Sequence, residues 1–279
     1  MTAEGRYSRN EGLFGAEGQA KIAGTKVTIA GLGGLGSHVA QQLAYLGIRM
    51  FALIDFDIVT ESSMNRLIGA TDADVSAATK KIDSAERMIH NISPSATVDR
   101  FDGRVADSGA EARITWSDVV FGCLDRDIHR LELTEVCARN HKVCFDLASD
   151  TGGGESLWYG GRVVLCAGSG CLMCLQLLDQ EQMALDQMDQ REREADERIY
   201  GVARGALRGP GPSVVSVNGV VASLAVTEFM VHITGLRAPA AQLTYRADLG
   251  TVTKSLDQPA EGCYYCEGLW RASLPRQQS

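Results

Sequence analysis

Apolar and polar positions in the first half of the chain switch between two periods. Short apolar runs read as strands at KVTIAG (26–31), MFALID (50–55), ATVDRF (96–101), SDVVFGC (117–123) and KVCFDLA (142–148). Segments with helical spacing lie between them at 37–47, TKKIDSAERMIHNI (79–92) and DIHRLELTEVCARNH (127–141). Strand and helix alternating at this spacing make βαβ units, and so a parallel, doubly wound sheet of the α/β class. The second half is less regular. LWYGGRVVLC (157–166) and QLTYRADLGTVTKSL (242–256) read as an antiparallel extension, the latter with a Gly at its turn. PSVVSVNGVVASLAVTEFMVHITG (212–235) is apolar over a membrane-spanning length, but Asn218, Glu228 and His232 interrupt it. Charge near a bilayer centre is costly, so a buried core helix is expected there and no membrane. The polar stretch 178–205, rich in Gln, Asp, Glu and Arg, reads as a solvated helix or loop.

Composition narrows the choice of partner. Over 279 residues the net charge is −8, which argues against a nucleic-acid backbone, since phosphate binding needs clustered Lys and Arg. The first residues, MTAEGRYSRNEGLFG, contain no apolar stretch of signal-peptide length, so a cytoplasmic location is the expectation. Eight cysteines in a cytoplasmic chain point to metal binding or thiol chemistry before disulfides.

Two motifs carry chemistry. Gly31, Gly33 and Gly36 fit G-x-G-x-x-G between a strand and a helix, with Gly34 inside the loop, and Asp55 closes the next strand. Glycines allow the tight turn and the approach of backbone N–H groups to phosphate, and such an acid commonly accepts ribose hydroxyls. This Rossmann-like opening by itself means a nucleotide. The residues after it are less suited to nicotinamide: DFDIVTESSMNR supplies Asp57, Asn65 and Arg66, TKKIDSAE supplies Lys80 and Lys81, and GCLDRD places Asp125 just past another strand. Cations and a carboxylate meeting beyond the carboxyl ends of the strands suit a triphosphate with its Mg²⁺, Asp125 holding the metal. The second motif is a pair of C-x-x-C units, Cys171/Cys174 and Cys263/Cys266. Four thiolates close a tetrahedral Zn²⁺ site with no open position, which is structural rather than catalytic.

Taken in order, GLGGLGS, DFDIVTESSMNR, the lysine of KKIDSA, CLDRD and the paired C-x-x-C resemble the ThiF/MoeB adenylyltransferases, whose adenylation domain is shared with ubiquitin-activating enzymes; the similarity runs from about Arg6 to Cys266. The resemblance implies that Gly33 and Gly36 line ATP, Asp55 binds its ribose, Arg66 and Lys81 grip the phosphates, and Asp125 positions Mg²⁺. It prefers Lys81 over Lys80 because the family's lysine directly precedes an apolar residue, here Ile82. RYSRN resembles the family's RYxRQ, which makes Arg9 a residue acting across a homodimer. Where the family has Ser-Asn-x-Asn-Arg this chain has Ser62-Ser63-Met64-Asn65-Arg66, so Ser63 replaces the first Asn and Asn65 is retained.

The expected organisation is a segment 1–24 serving a dimer partner's site, a nucleotide-binding half 25–150, and a zinc-stapled half 151–279 of the same domain, with 178–205 as the family's crossover loop. The expected function is ATP-dependent adenylation of the C-terminal Gly-Gly carboxylate of a small ubiquitin-like or sulfur-carrier protein. Residues 175–262 lack cysteine, and of the remaining Cys123, Cys137, Cys144 and Cys166 two sit in apparent strands and one in a helix, where buried Cys is more often a small hydrophobe than a nucleophile, so no stable enzyme thioester is expected. An activating enzyme that passes its partner to a conjugating enzyme, a tRNA-modifying enzyme and a non-catalytic zinc scaffold stay open as alternatives. An NAD-dependent oxidoreductase lacks visible hydride-transfer groups.

Overall fold

The computed structural model describes residues 5–152, 157–187 and 213–271. Five parallel strands, β1 (Lys26–Ala30), β2 (Met50–Ile54), β3 (Thr97–Phe101), β4 (Val119–Gly122) and β5 (Val143–Gly152), run into three antiparallel ones, β6 (Trp158–Cys166), β7 (Gln242–Arg246) and β8 (Thr251–Lys254). They form one sheet in the order β3-β2-β1-β4-β5-β6-β7-β8. The doubly wound, mostly parallel sheet with an antiparallel extension is therefore present as expected. Strand order reverses between β1 and β4, and in open α/β sheets that switch point opens a crevice at the carboxyl ends of the strands.

The helices are α1 (Ser8–Gly24), α2 (Gly34–Leu46), α3 (Asp72–Ser76), α4 (Lys81–Ile92), α5 (Ser108–Trp116), α6 (Asp127–Arg139), α7 (Gln180–Gln187) and α8 (Val215–Thr234). The apolar pattern of the sequence predicts neither α1 nor α5. Only Gly18, Gln19 and Ile22 of α1 and Ala110 and Ile114 of α5 are buried, too few to imprint an apolar period. The polar stretch from 178 starts as α7, and its remainder from 188 lies outside the described residues.

Two cores flank the sheet. One packs α2, α4 and α8 on one face; the other joins α5 and α6 to the cysteine-bearing segments on the opposite face. By length and composition α8 could cross a membrane, yet it buries Val221, Ala222, Ala225 and Phe229 against α2, β5 and β6. Phe229 meets Phe121 at 5.5 Å between ring centroids, and Phe121 stacks on Phe145 at 5.5 Å, so the helix is keyed into the middle of the sheet. The acid that interrupts its apolar run is satisfied: Glu228 accepts both Nη1 of Arg237 at 2.9 Å and the Ala240 N–H at 2.7 Å.

Candidate active site and metal centre

The glycine loop leaves β1 and turns into α2 within a few residues. Gly31 adopts φ +87°, and a Cβ there would lie 2.6 Å from the Cys123 carbonyl oxygen, so β1's exit is pressed against β4's. Gly36 is bound more tightly still, its absent Cβ falling 1.9 Å from the Gly31 carbonyl oxygen. Gly33 differs: a Cβ there would meet open space. Gly34 lies under Asn218 and Arg66, 2.3 Å from Asn218 Nδ2 by the same measure. Sequence inspection singled out Asn218 only as an interruption in an apolar helix. It is completely buried, donates to Ser213 Oγ at 3.0 Å, and its own Oδ1 has no hydrogen-bond partner among the described residues.

Asn218 marks a feature that the sequence did not reveal. α8 runs parallel to α2, as Gly34 against Asn218, His38 against Gly219 and Gln42 bonded to Ser223 show in succession. Both helices therefore start at the same rim. Their N-caps, Gly33 and Val214, supply no side-chain cap, so among the described residues the N–H groups of both first turns have no capping side chain. Each helix start carries about half a positive charge, and two side by side make an anion site.

Arg66 stands over this rim, its guanidinium donating to the Ser62 carbonyl and to Asn65 Oδ1 at 3.0 Å. Lys81 opens α4, pairs with Asp57 at 2.8 Å and has a side chain only 16% exposed. Lys80 instead pairs with Asp102 at 2.7 Å, so the two neighbouring lysines have different partners. Asp55 accepts Leu32 N–H at 2.6 Å through one oxygen and Asp57 N–H at 2.8 Å through the other. Burial raises its pKa, opposed by the Leu32 amide and by Lys81. Asp55 thus fastens the glycine loop to the β2 exit. Asp125 is exposed beyond β4 and makes no hydrogen bond or ion pair among the described residues. Ser63 is buried, with its hydroxyl 3.0 Å from Thr60 Oγ1, so the side chain replacing the family's Asn is engaged in a turn.

Gly31, Gly33, Gly34, Gly36, Asp55, Asp57, Asn65, Arg66 and Lys81 are thus linked around one rim, with Asp125 two residues beyond the Cys123 carbonyl that abuts it. Arg9 is not brought there within the chain. It sits on α1, where Asn10 and Gln19 hold the Leu46 carbonyl and Arg6 holds that of Ile92. Those are the C-terminal ends of α2 and α4, at the opposite edge of the sheet.

On the other face the two C-x-x-C units meet. Cys171, Cys174, Cys263 and Cys266 place their sulfurs within 4.8 Å of one another, with Sγ···Sγ of 3.6 Å for Cys171–Cys263, 3.7 Å for Cys171–Cys174 and 4.0 Å for Cys174–Cys266. A tetrahedron with Zn–S bonds near 2.3 Å has edges of about 3.8 Å. The quartet fits zinc. Bonding to Cys266, against the pull of burial, lowers the Cys171 thiol to about 5, and burial raises Cys174 to about 11. The Cys171 thiolate is therefore easily formed whereas those of Cys174 and Cys266 are disfavoured without a cation, which is how metal binding couples to proton release.

Comparison with known proteins agrees with this geometry. The family model described as ThiF family matches residues 7–266. The chain belongs to the ThiF family. The sulfur carrier protein ThiS adenylyltransferase of Escherichia coli is 27% identical over 269 residues, covering 94% of this chain and 95% of that protein. The SAMP-activating enzyme E1 of Haloferax volcanii is 33% identical over 134 residues, which are 47% of this chain and 49% of that protein. The molybdopterin-synthase adenylyltransferase of Salmonella typhimurium is also 33% identical over 134 residues, 47% and 53% of the two chains. The matches to those two relatives thus span about half of their length. The crystal structure of E. coli MccB with ATP shares the fold, with a TM-score of 0.70 at 20% identity over 95% of this chain and 75% of that one.

Proposed function

We propose that this ThiF-family chain adenylates the C-terminal carboxylate of a small sulfur-carrier or ubiquitin-like protein ending in Gly-Gly. The observation that carries this is the convergence of two helix starts, without side-chain caps among the described residues, with Arg66 on one glycine loop, which Asp55 and Asp57 link to Lys81, while the exposed Asp125 lies just past the end of β4. ATP would lie with its phosphates across the starts of α2 and α8 and its ribose toward Asp55, whose oxygens each retain a lone pair. A carboxylate oxygen attacks the α-phosphorus, the bond to the β-bridging oxygen breaks, and pyrophosphate leaves with that electron pair. Arg66 and Lys81 stabilise the charge on the leaving pyrophosphate, and the fixed amide dipoles do so without reorganising. Mg²⁺, for which Asp125 offers an exposed carboxylate, would add positive charge at the phosphates. Arg9, remote from its own rim, would complete the partner's site in a homodimer. The names of the relatives, which include adenylyltransferases for the sulfur carrier protein ThiS and for molybdopterin synthase, support this substrate class.

Thiol chemistry on the chain itself is disfavoured. Cys123, Cys137, Cys144 and Cys166 are all buried. Burial raises the thiols of Cys123 and Cys166, and a bond from Cys137 together with burial raises that of Cys144, so none of these three offers a ready thiolate. The acyl-adenylate is then consumed by a nucleophile from another molecule.

ATP–pyrophosphate exchange with the sulfur carrier ThiS tests the proposal. Exchange is expected with the native chain and a loss of at least about a hundredfold with Asp125→Ala, the scale of one electrostatic catalytic group. A native chain that neither binds Mg·ATP nor catalyses exchange would overturn it, and so would undiminished exchange in Asp125→Ala. A thiol-reducible adduct between enzyme and carrier would refute the absence of an enzyme thioester.

A further inference from the structure

The residues following Asp125 are engaged elsewhere, and both hold the same short element. Asp127 Oδ2 accepts the Asp179 N–H at 2.8 Å, and Asp179 in turn caps α7 by accepting the Gln182 N–H at 3.0 Å. Arg126 grips Asp186 with two nitrogens, Nε at 3.2 Å and Nη2. The Asp186 side chain is only 8% exposed and also accepts Gln182 Nε2 at 3.1 Å. Just before α7, the Leu177 carbonyl accepts Arg162 Nη2 at 3.1 Å. The entry to α7 and its last turn are both fastened to the turn that presents Asp125.

α7 needs such ties. It has eight residues, and Met183 is the one buried apolar side chain among those described. A helix this short and polar is marginal by itself, so its order depends on what it is fixed to. A bidentate guanidinium–carboxylate pair with a desolvated acid is directional, and losing the cation leaves a buried charge without that compensation.

We propose that Arg126 is a positioning residue: paired with Asp186, and aided by Asp127 at Asp179, it makes the order of α7 and the placement of Asp125 a single equilibrium. Binding of the magnesium nucleotide at Asp125 then orders residues 179–187, where the polar segment toward residue 212 begins, and loosening α7 weakens nucleotide binding by the same factor. This rests on the proposed role of Asp125 at the metal nucleotide.

Hydrogen exchange on the full chain, with and without Mg²⁺ and AMPCPP, is the test, alongside calorimetric binding of the same ligand. In the native chain Mg·AMPCPP is expected to slow amide exchange across 180–187 about tenfold, within the usual range of coupling. Arg126→Gln and, from the other side of the pair, Asp186→Asn each abolish that slowing and weaken Mg·AMPCPP severalfold. The charge exchange Arg126→Asp with Asp186→Arg restores both. Native chain that binds Mg·AMPCPP with no change at 180–187 would overturn the coupling and leave the proposed function standing, as would slowing that persists in both single variants. No binding of Mg·AMPCPP by the native chain would instead remove the functional proposal on which the coupling rests.

Discussion

Gly36 and Gly33 belong to one motif, yet an added methyl should act on them in opposite ways. A Cβ at Gly36 falls 1.9 Å from the Gly31 carbonyl oxygen, whereas ordinary C···O contacts close at about 3.3 Å. The loop would have to part from α2 by about 1.4 Å, and the obstacle is backbone, which cannot turn aside like a side chain. Gly31 cannot retreat freely, because it is pressed against the Cys123 carbonyl and its N–H bonds the Ile54 carbonyl at 2.9 Å. Overpacking of this kind costs roughly 1–3 kcal/mol, and the unyielding contact puts Gly36→Ala near 3. At roughly 2–4 °C per kcal/mol for a large domain, Tm should fall by about 6–12 °C. Gly33 has φ −72° and open space at its Cβ, so Gly33→Ala should leave Tm within about 1 °C. In the proposed function that open space is the approach for phosphate, so the methyl should weaken Mg·ATP at least about tenfold, the loss of 1.4 kcal/mol. Scanning calorimetry and titration calorimetry on the two variants decide the matter. Equal Tm losses, or Gly33→Ala binding Mg·ATP as the native chain does, would refute the division between a packing glycine and a phosphate-facing one.

Other perturbations follow from the same geometry. Purified protein should carry about one zinc per chain by elemental analysis, and Cys174→Ser should lose it with a fall in Tm, because the quartet ties Tyr264–Arg271 to the loop at 171–174; a metal-free chain of unchanged Tm would contradict this. Arg87 bonded to the buried Asp74 holds that carboxyl well below its ordinary value of 3.8. Its folded pKa is the lower one, so its stabilisation is present above about pH 4 and is lost as pH falls below. Asp74→Asn should cost about 1–2 kcal/mol at pH 7, allowing for the half-exposed guanidinium, and little at pH 2, read from urea midpoints at both pH values. Arg237→Ala strips the partner from the buried carboxylate of Glu228 and should cost roughly 2–3 kcal/mol, with Glu228→Gln in the same background recovering part of the loss.

β1, β2 and β4 were legible because each is a short apolar run bounded by turn residues, and burial of a sheet's two faces writes that pattern directly into the residues. β1 to β5 and the β6–β8 meander lie close to where alternation and apolar runs placed them. α1 and α5 escaped detection for the converse reason: elements that bury two or three side chains carry hardly any period. Glycine spacing, the lysine before Ile82 and the two C-x-x-C units were equally visible, since each is a local or repeated signature of residue type.

What lies between distant segments had no such signature. Nothing local announces that α8, some 180 residues after α2, starts beside it and adds a second helix dipole to the same rim. Asn218 looked like a blemish in an apolar run, and only the close approach to Gly34 shows it as the strut between two helix starts. Sequence by itself determined which residues could serve a phosphate, a ribose or a zinc ion, because those capacities belong to side-chain chemistry. Tertiary structure alone decided which of them meet, sending Arg9 to the far edge and Lys80 toward Asp102, because proximity follows from strand order and helix direction.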